Sequence, residues 1–219
     1  MTPLDIEWFR NCFDGNLVKE PLLDVGSAKI GGEPNLCDVA KRLGLKRTTG
    51  ADLRIGDGVD VALDFGLRKD AFRESHRFTA FATVCVFNVL EHTFDPITVL
   101  SNALSCLASN GTLLVVTPAI WPLHNYPNDY NRLLPDWYRR FAEFYNLKLI
   151  HEHFSWLSPF GIEPISHLED EFPTYASKGQ SDSASRYWIS RLVHRLFNTY
   201  GRSHWATHTA IAAAFTRVQ

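Results

Sequence analysis

Between Trp121 and Arg132 the chain gathers Trp121, His124, Tyr126, Asp129, Tyr130 and Arg132. Within that stretch His124 and Asp129 are the side chains able to take a proton from a hydroxyl or an amine. The rings of Trp121, Tyr126 and Tyr130 can exclude water from a small molecule, and Arg132 can orient a polar group on it. The plain alternative is a loop stiffened by His–backbone, Asp–Arg and Tyr contacts. His124 and Asp129 are therefore the candidate catalytic residues, and Trp121, Tyr126, Tyr130 and Arg132 the candidate acceptor contacts.

A second set of residues sits at turns. Asp24-Val25-Gly26-Ser27-Ala28 ends a short apolar run in small residues, which let a ligand approach the backbone closely. No Lys-Ser/Thr pair follows Gly31, so this is not a phosphate P-loop, and it is not a clean dinucleotide fingerprint. Asp52 follows at a distance at which an acidic residue can accept the hydroxyls of an adenosine ribose. Asp64, beside Phe65, can accept an amino group or simply cap a turn. Asn88-Val89 and Glu91-His92 close the most apolar run of the chain; His92 reads as a packing or capping residue.

These positions acquire meaning from the elements that hold them. Pro21 to Val25, Thr49 to Leu53, Val59 to Phe65, Phe81 to Leu90, Thr112 to Thr117, Leu147 to His153 and Ala210 to Val218 read as strands. Ile6 to Phe13, Leu36 to Leu43, a segment opened by Asp95-Pro96, and Pro135 to Tyr145 read as helices. Phe81 to Leu90 is apolar on both faces, as a central parallel strand must be. Strands alternating with helices predict a doubly wound, largely parallel α/β sheet, whose ligands bind beyond the strands' carboxyl ends. Residues 155–208 break the alternation. Ser158 to Gln180 reads as loop and Arg186 to Tyr200 as an amphipathic helix that packs as a lid or on the sheet flank, all inserted before the last strand of a single domain spanning 1–219.

Composition narrows the function. A net charge of -2 over 219 residues gives no whole-chain attraction to nucleic acid. Cys12, Cys37, Cys85 and Cys106 form no Cys-x-x-Cys pair, so no zinc or other metal site is expected. No apolar stretch is long enough to span a bilayer, and the first ten residues carry no signal-peptide core, so a cytoplasmic location is expected. The expected partner is a small-molecule acceptor, and oligomeric state is not legible.

The segment from Phe81 to Pro96, with Val89-Leu90-Glu91-His92 and Asp95-Pro96, followed by Asn110-Gly111-Thr112 and a strand ending in Pro118, resembles the type 11 branch of class I methyltransferases. His124, Pro127, Asp129-Tyr130 and Arg132 resemble a sub-group signature after that strand. Asp24-Val25-Gly26 and Gly50-Ala51-Asp52 resemble the family's first two motifs. The likeness covers about Leu22 to Tyr145. It implies a Rossmann-like fold and S-adenosyl-L-methionine as cofactor. Asp24, Gly26, Ser27 and Ala28 would lie along the methionine part, Asp52 on the ribose, Asp64 and Phe65 on the adenine, and Asn88 and Val89 near the methionyl portion. The sequence departs from the family at Ala28 and Ile30, where glycines are usual, and at Ala82, where Asp is common. Those departures keep a non-catalytic relative of the same fold as an alternative, with a dinucleotide-dependent oxidoreductase third.

Overall fold

The protein is described by a computed structural model over residues 1–75, 78, 80–124, 128–158, 161–165 and 209–218. In chain order the elements are α1 (Pro3–Asp14), β1 (Leu22–Val25), α2 (Leu36–Arg42), β2 (Thr48–Asp52), β3 (Val61–Ala62), α3 (Lys69–Ser75), β4 (Phe81–Phe87), α4 (Pro96–Ser105), β5 (Leu107–Ile120), α5 (Pro135–Phe144), β6 (Leu147–Leu149), β7 (Ser155–Ser158), β8 (Gly161–Pro164) and β9 (Thr209–Arg217). Short 3-10 turns occupy Leu90–His92 and His151–His153.

The strands form one sheet in the order β3-β2-β1-β4-β5-β9-β7-β8, with β6 also paired to β9. From β3 to β5 every pairing is parallel. Every pairing of β9 is antiparallel, as is that of β7 with β8. The expected largely parallel sheet is thus parallel on one half and antiparallel on the other.

The sheet is the middle of three layers. Along β5, Leu113 and Val115 face one core with Phe72, Leu100, Tyr138 and Phe141 from α3, α4 and α5. Leu114 and Val116 face the other, with Trp8, Phe9, Leu36 and Val39 from α1 and α2. The same alternation runs through β4, where Val84 and Val86 point one way and Cys85 and Phe87 the other. β4 lies between β1 and β5, and its Val84, Cys85 and Val86 are wholly buried, as a strand covered on both faces requires. Fully burying one such apolar side chain contributes about 1.5–3 kcal/mol.

Local chemistry sets the helix ends. Asp95 Oδ1 accepts from the amides of Ile97 and Thr98 at 3.1 Å each, with Pro96 at the first helical position of α4. Thr2 and Asp5 form a capping box on α1: Thr2 N–H donates to Asp5 Oδ2 (2.7 Å) and Asp5 N–H to Thr2 Oγ1 (3.2 Å). Asn35 caps α2.

Several boundaries differ from those the sequence suggested. The strand read over Val59 to Phe65 shrinks to Val61–Ala62, because Phe65 turns into the α3–α4 core, 5.0 Å from Phe72. β4 ends at Phe87, and Leu90 belongs to the turn that follows. Ile97 and Phe144, apolar residues of α4 and α5, are 48% and 71% exposed. Residues 155–158 and 161–164, read as the start of an insertion, extend the sheet instead, with β7 pairing to β9. The helix read over Arg186 to Tyr200 lies outside the described residues.

Candidate functional site

A cavity of about 670 Å³ opens beyond the carboxyl ends of β1, β4 and β5. This is where a sheet of this winding leaves room for a ligand, because the loops after adjacent strands diverge there. Gly26, Ala28, Asn88, Trp121 and His124 line it, and so do the first residues of α1.

The first loop is held by its own polar groups. Gly26 follows β1 in the left-handed region (φ 82°), which glycine adopts without strain. Asn35 Nδ2 donates to Ser27 O (2.8 Å) and Gly58 O (3.1 Å). At the end of β2, Asp52 Oδ2 accepts from the Ala28 amide (3.1 Å) and Oδ1 from its neighbour Leu53 (2.7 Å). Each oxygen keeps a free lone pair for a ligand hydroxyl. Ile30, at one of the unusual positions, stands at the rim of the cavity with 66% of its surface exposed. Asp24 is buried and accepts from the Leu36 amide (3.1 Å); burial pushes its carboxyl up to about 7.

The loop after β4 is tied to three other segments. Asn88 is left-handed (φ 54°), and its Nδ2 donates to Asp5 Oδ2 (2.9 Å). The capping box of α1 therefore fastens the amino-terminal helix to the cavity wall. The backbone carbonyl of Glu91 accepts from the amides of Tyr130 (2.7 Å) and Asn131 (3.3 Å), which pins the loop after β5 against the loop after β4. The Asn131 side-chain amide adds bonds to the carbonyls of Leu90 and Thr93.

These bonds gather three side chains. Glu91, His92 and His124 each place one ligand-capable atom within 4.8 Å of the others. The imidazoles of His92 and His124 meet edge to face, 4.9 Å apart. His92 Nε2 lies 3.7 Å from Glu91 Oε1. Both carboxylate oxygens of Glu91 are buried without a hydrogen-bond partner, and burial pushes this carboxyl up to about 8. His124 Nδ1 lies 3.4 Å from Asp129 Oδ2, yet no hydrogen bond forms there.

The expected residues fall into several groups. Asp24, Gly26, Ala28, Asn88, Trp121 and His124 meet at the cavity. Ser27 is buried behind the first loop, and Val89 backs it from the core. Asp52 stands beside the loop at the end of β2. Asp64 Oδ1 is taken by the Gly66 amide (2.7 Å), while the Phe65 carbonyl accepts from Asn102 Nδ2 (2.8 Å) and its ring is buried. Tyr130 is 52% exposed, near Phe94. Tyr126 lies outside the described residues.

Asp129 is not placed to act as a base. Its side chain is 1% exposed, both guanidinium nitrogens of Arg132 bond it, and the His124 amide donates to it at 3.0 Å. Arg132 holds its carboxyl down at about 2, far too acidic to take a proton near neutral pH. Arg132 is likewise spent on Asp129 and on the Asn131 carbonyl (2.8 Å), not free for an acceptor.

Asp5 and Glu91 line the cavity, and the sequence did not single them out as candidate site residues. Glu91 stood beside His92 as a motif residue, and nothing local to it predicts a buried, unpartnered carboxylate facing His124.

A family model of a methyltransferase domain matches residues 7–166. Among solved structures, the chain is similar to an S-adenosylmethionine-dependent methyltransferase from Archaeoglobus fulgidus. That match has 14% identity, covers 97% of this chain and 94% of the other, and has a TM-score of 0.52. It is also similar to the N-methyltransferase NodS from Bradyrhizobium japonicum WM9, whose structure holds S-adenosyl-l-homocysteine. There the identity is 13%, the coverage 97% and 85%, and the TM-score 0.50. At these identities the likeness is one of fold. No curated protein sequence matches this one. Among the described residues no helix is long and apolar enough to cross a membrane. With the family model spanning most of the parallel half of the sheet and the site at its carboxyl edge, the chain belongs to the methyltransferase-domain family, with S-adenosylmethionine as its cofactor.

Proposed function

We propose that the chain methylates an oxygen or nitrogen of a small-molecule or sugar-like acceptor, and that it belongs to the type 11 branch of the family, a reading supported by the Glu91-His92 and Asp95-Pro96 motifs. The observation that carries this reading is the cavity of about 670 Å³, walled by both the first glycine loop and the loop bearing His124. Its size suits a cofactor and a small acceptor rather than a macromolecule. Acidic residues outnumber cations on its wall. Among the described lining residues, Asp5, Asp24, Glu33 and Glu91 stand against a single lysine, Lys29, which Asp38 holds at 2.8 Å. Such a wall fits a cofactor that carries a sulfonium and an ammonium group.

Bound S-adenosylmethionine supplies an activated methyl group, so the difficult chemistry is the cofactor's. The chain has to hold it, align the acceptor and exclude water. Gly26, Ser27 and Ala28 present backbone along its methionine part, with Asp24 buried beneath them. Asp52 accepts the ribose hydroxyls. Asp64 and the backbone at Phe65 address the adenine, and Asn88 and Val89 close the centre. Trp121 and Tyr130 wall the acceptor. His124 activates it, accepting the proton of the acceptor hydroxyl or amine, while Asp129 and Arg132 brace the loop that carries His124.

The test is methyl transfer from labelled S-adenosylmethionine to a panel of sugars and other small hydroxyl and amine compounds. With an acceptor found, His124→Ala is expected to lower kcat by about 10²-fold or more with cofactor affinity nearly intact. Full turnover in that variant would reduce His124 to a structural residue. Failure of the wild type to bind the cofactor by calorimetry would sink the reading as a whole.

A further inference from the structure

We infer that Glu91, His92 and His124 form a binding site for one divalent first-row transition cation, with zinc the best match, at the acceptor side of the cavity. For where the cation binds, the inference stands on geometry alone. For what the cation does, it rests on the methyltransferase reading.

The donor set is two imidazoles and one carboxylate. That combination holds catalytic zinc in three-ligand sites that leave a coordination position open. The three ligand-capable atoms already lie within 4.8 Å of one another. Zinc bonds of about 2.0–2.2 Å would bring donors to roughly 3.4 Å apart. The cluster must therefore contract by up to about 1.4 Å, and His124, whose side chain is 38% exposed, has the freedom to do so.

Glu91 gives the second, independent observation. It is 1% exposed, its two carboxylate oxygens have no hydrogen-bond partner, and it faces the cavity beside both imidazoles. Burying a carboxylate with nothing to satisfy it is costly, and a cation is the partner that removes the cost. Among the described residues no lysine or arginine bonds to it: Arg132, whose charge reaches Glu91 only from a distance, is bonded to Asp129 and to the Asn131 carbonyl.

The surroundings of His92 fit the same reading. Its Nδ1 is paired with the backbone carbonyl of Asn128, which can only accept. The ring proton is therefore on Nδ1, and Nε2 turns a free lone pair toward Glu91 Oε1, 3.7 Å away. Fixing the tautomer of a metal-bound histidine through a carbonyl on its other nitrogen is a recurrent device. Asp129 Oδ2, 3.4 Å from His124 Nδ1 without a hydrogen bond, is near enough to become the carboxylate partner of the second imidazole as that ring closes on the cation.

In the open position the cation would take the acceptor oxygen and lower the pKa of its hydroxyl. With the cation bound, His124 acts as a ligand in place of the base role proposed above, and the hydroxyl proton leaves to solvent. An oxygen lone pair forms the new bond to the methyl carbon, and the electron pair of the breaking carbon–sulfur bond stays on sulfur. No oxidant or reductant is required. A cation held here also selects acceptors with an oxygen able to ligate it.

The test is calorimetric titration of the chelator-treated full chain with Zn²⁺, repeated with Co²⁺ to read its visible absorption, in the absence of cofactor and acceptor. One equivalent is expected to bind. Glu91→Gln, His92→Ala and His124→Ala should each weaken binding by about ten-fold or more. His153→Ala is the control for the other metal-capable pair, Cys12 and His153, which lie 3.4 Å apart; it should change nothing. Thermal unfolding and cofactor binding of each variant report folding, and Glu91→Gln, which keeps the side chain's shape, covers the case in which an alanine variant fails to fold. No binding by the wild type, binding unchanged in the three variants, or binding lost in His153→Ala overturns the site. Metal binding without cofactor binding overturns the methyltransferase reading alone. Cofactor binding without metal binding overturns this inference alone.

Discussion

Gly26 and Val89 touch across the floor of the site so closely that a Cβ built on Gly26 would lie 2.3 Å from Val89 Cγ2. The contact joins the turn after β1 to the turn after β4, the two loops that flank the cavity at the centre of the sheet. Gly26 is also left-handed, so any side chain there meets both strain and a collision. Gly26→Ala is expected to cost about 1–3 kcal/mol of stability and to weaken S-adenosylmethionine binding by about ten-fold. Adding Val89→Ala removes the collision but not the strain, so part of the loss should return. Thermal unfolding and calorimetry on the single and double variants check this. A second substitution that restores nothing would show that the close contact is not what limits the position.

The carboxylate at the end of β2 acts on the first loop as well as facing out of it. Asp52 accepts the Ala28 amide and retains lone pairs for a ribose. Losing a charge-assisted hydrogen bond costs about 1.5–3 kcal/mol, so Asp52→Ala is expected to weaken cofactor binding by at least about ten-fold. Asp64→Ala is expected to weaken it as well, by less, because one Asp64 oxygen is engaged by the Gly66 amide. Unchanged affinity in both variants removes the ribose and adenine assignments.

Asp24 makes stability depend on pH in a direction that can be worked out. Its folded carboxyl is raised to about 7, above the 3.8 of an unburied Asp, by burial against the opposing amides of Leu36 and Cys37. Between those values the folded chain holds a proton that the unfolded chain has released. Stability from this group is therefore present below about pH 4 and is lost as pH rises toward 7. Asp24→Asn keeps an acceptor for the Leu36 amide and cannot ionise. Its stability relative to the wild type should rise between pH 4 and pH 8 in the absence of cofactor. Denaturant unfolding at the two pH values measures the difference. A constant difference would mean that the buried carboxyl does not titrate in that range.

Much of the frame was legible because it depends on local chemistry. The unbroken apolar run at β4 announced a strand buried on both faces, since no solvated strand is free of polar alternation. Asp95-Pro96 marked a helix start because the side chain caps orphan amides and proline lacks one to satisfy. Gly26 marked a sharp turn, and the order of strands and helices placed Asp52, Asn88 and His124 at carboxyl ends of the sheet. Tertiary structure alone decided the rest. Whether Asp129 is a base or a brace depends on how tightly Arg132 grips it and on burial, and neither is set by three residues of spacing. The antiparallel half of the sheet depends on β9 returning beside β5, a pairing across nearly a hundred residues that no local signal encodes. Glu91 and His124 are separated along the chain by β5 and α4, and they meet because the amides of Tyr130 and Asn131 close on the Glu91 carbonyl. Residue types and turns are written locally, whereas burial, pairing and the charge a carboxyl carries are properties of the packed whole.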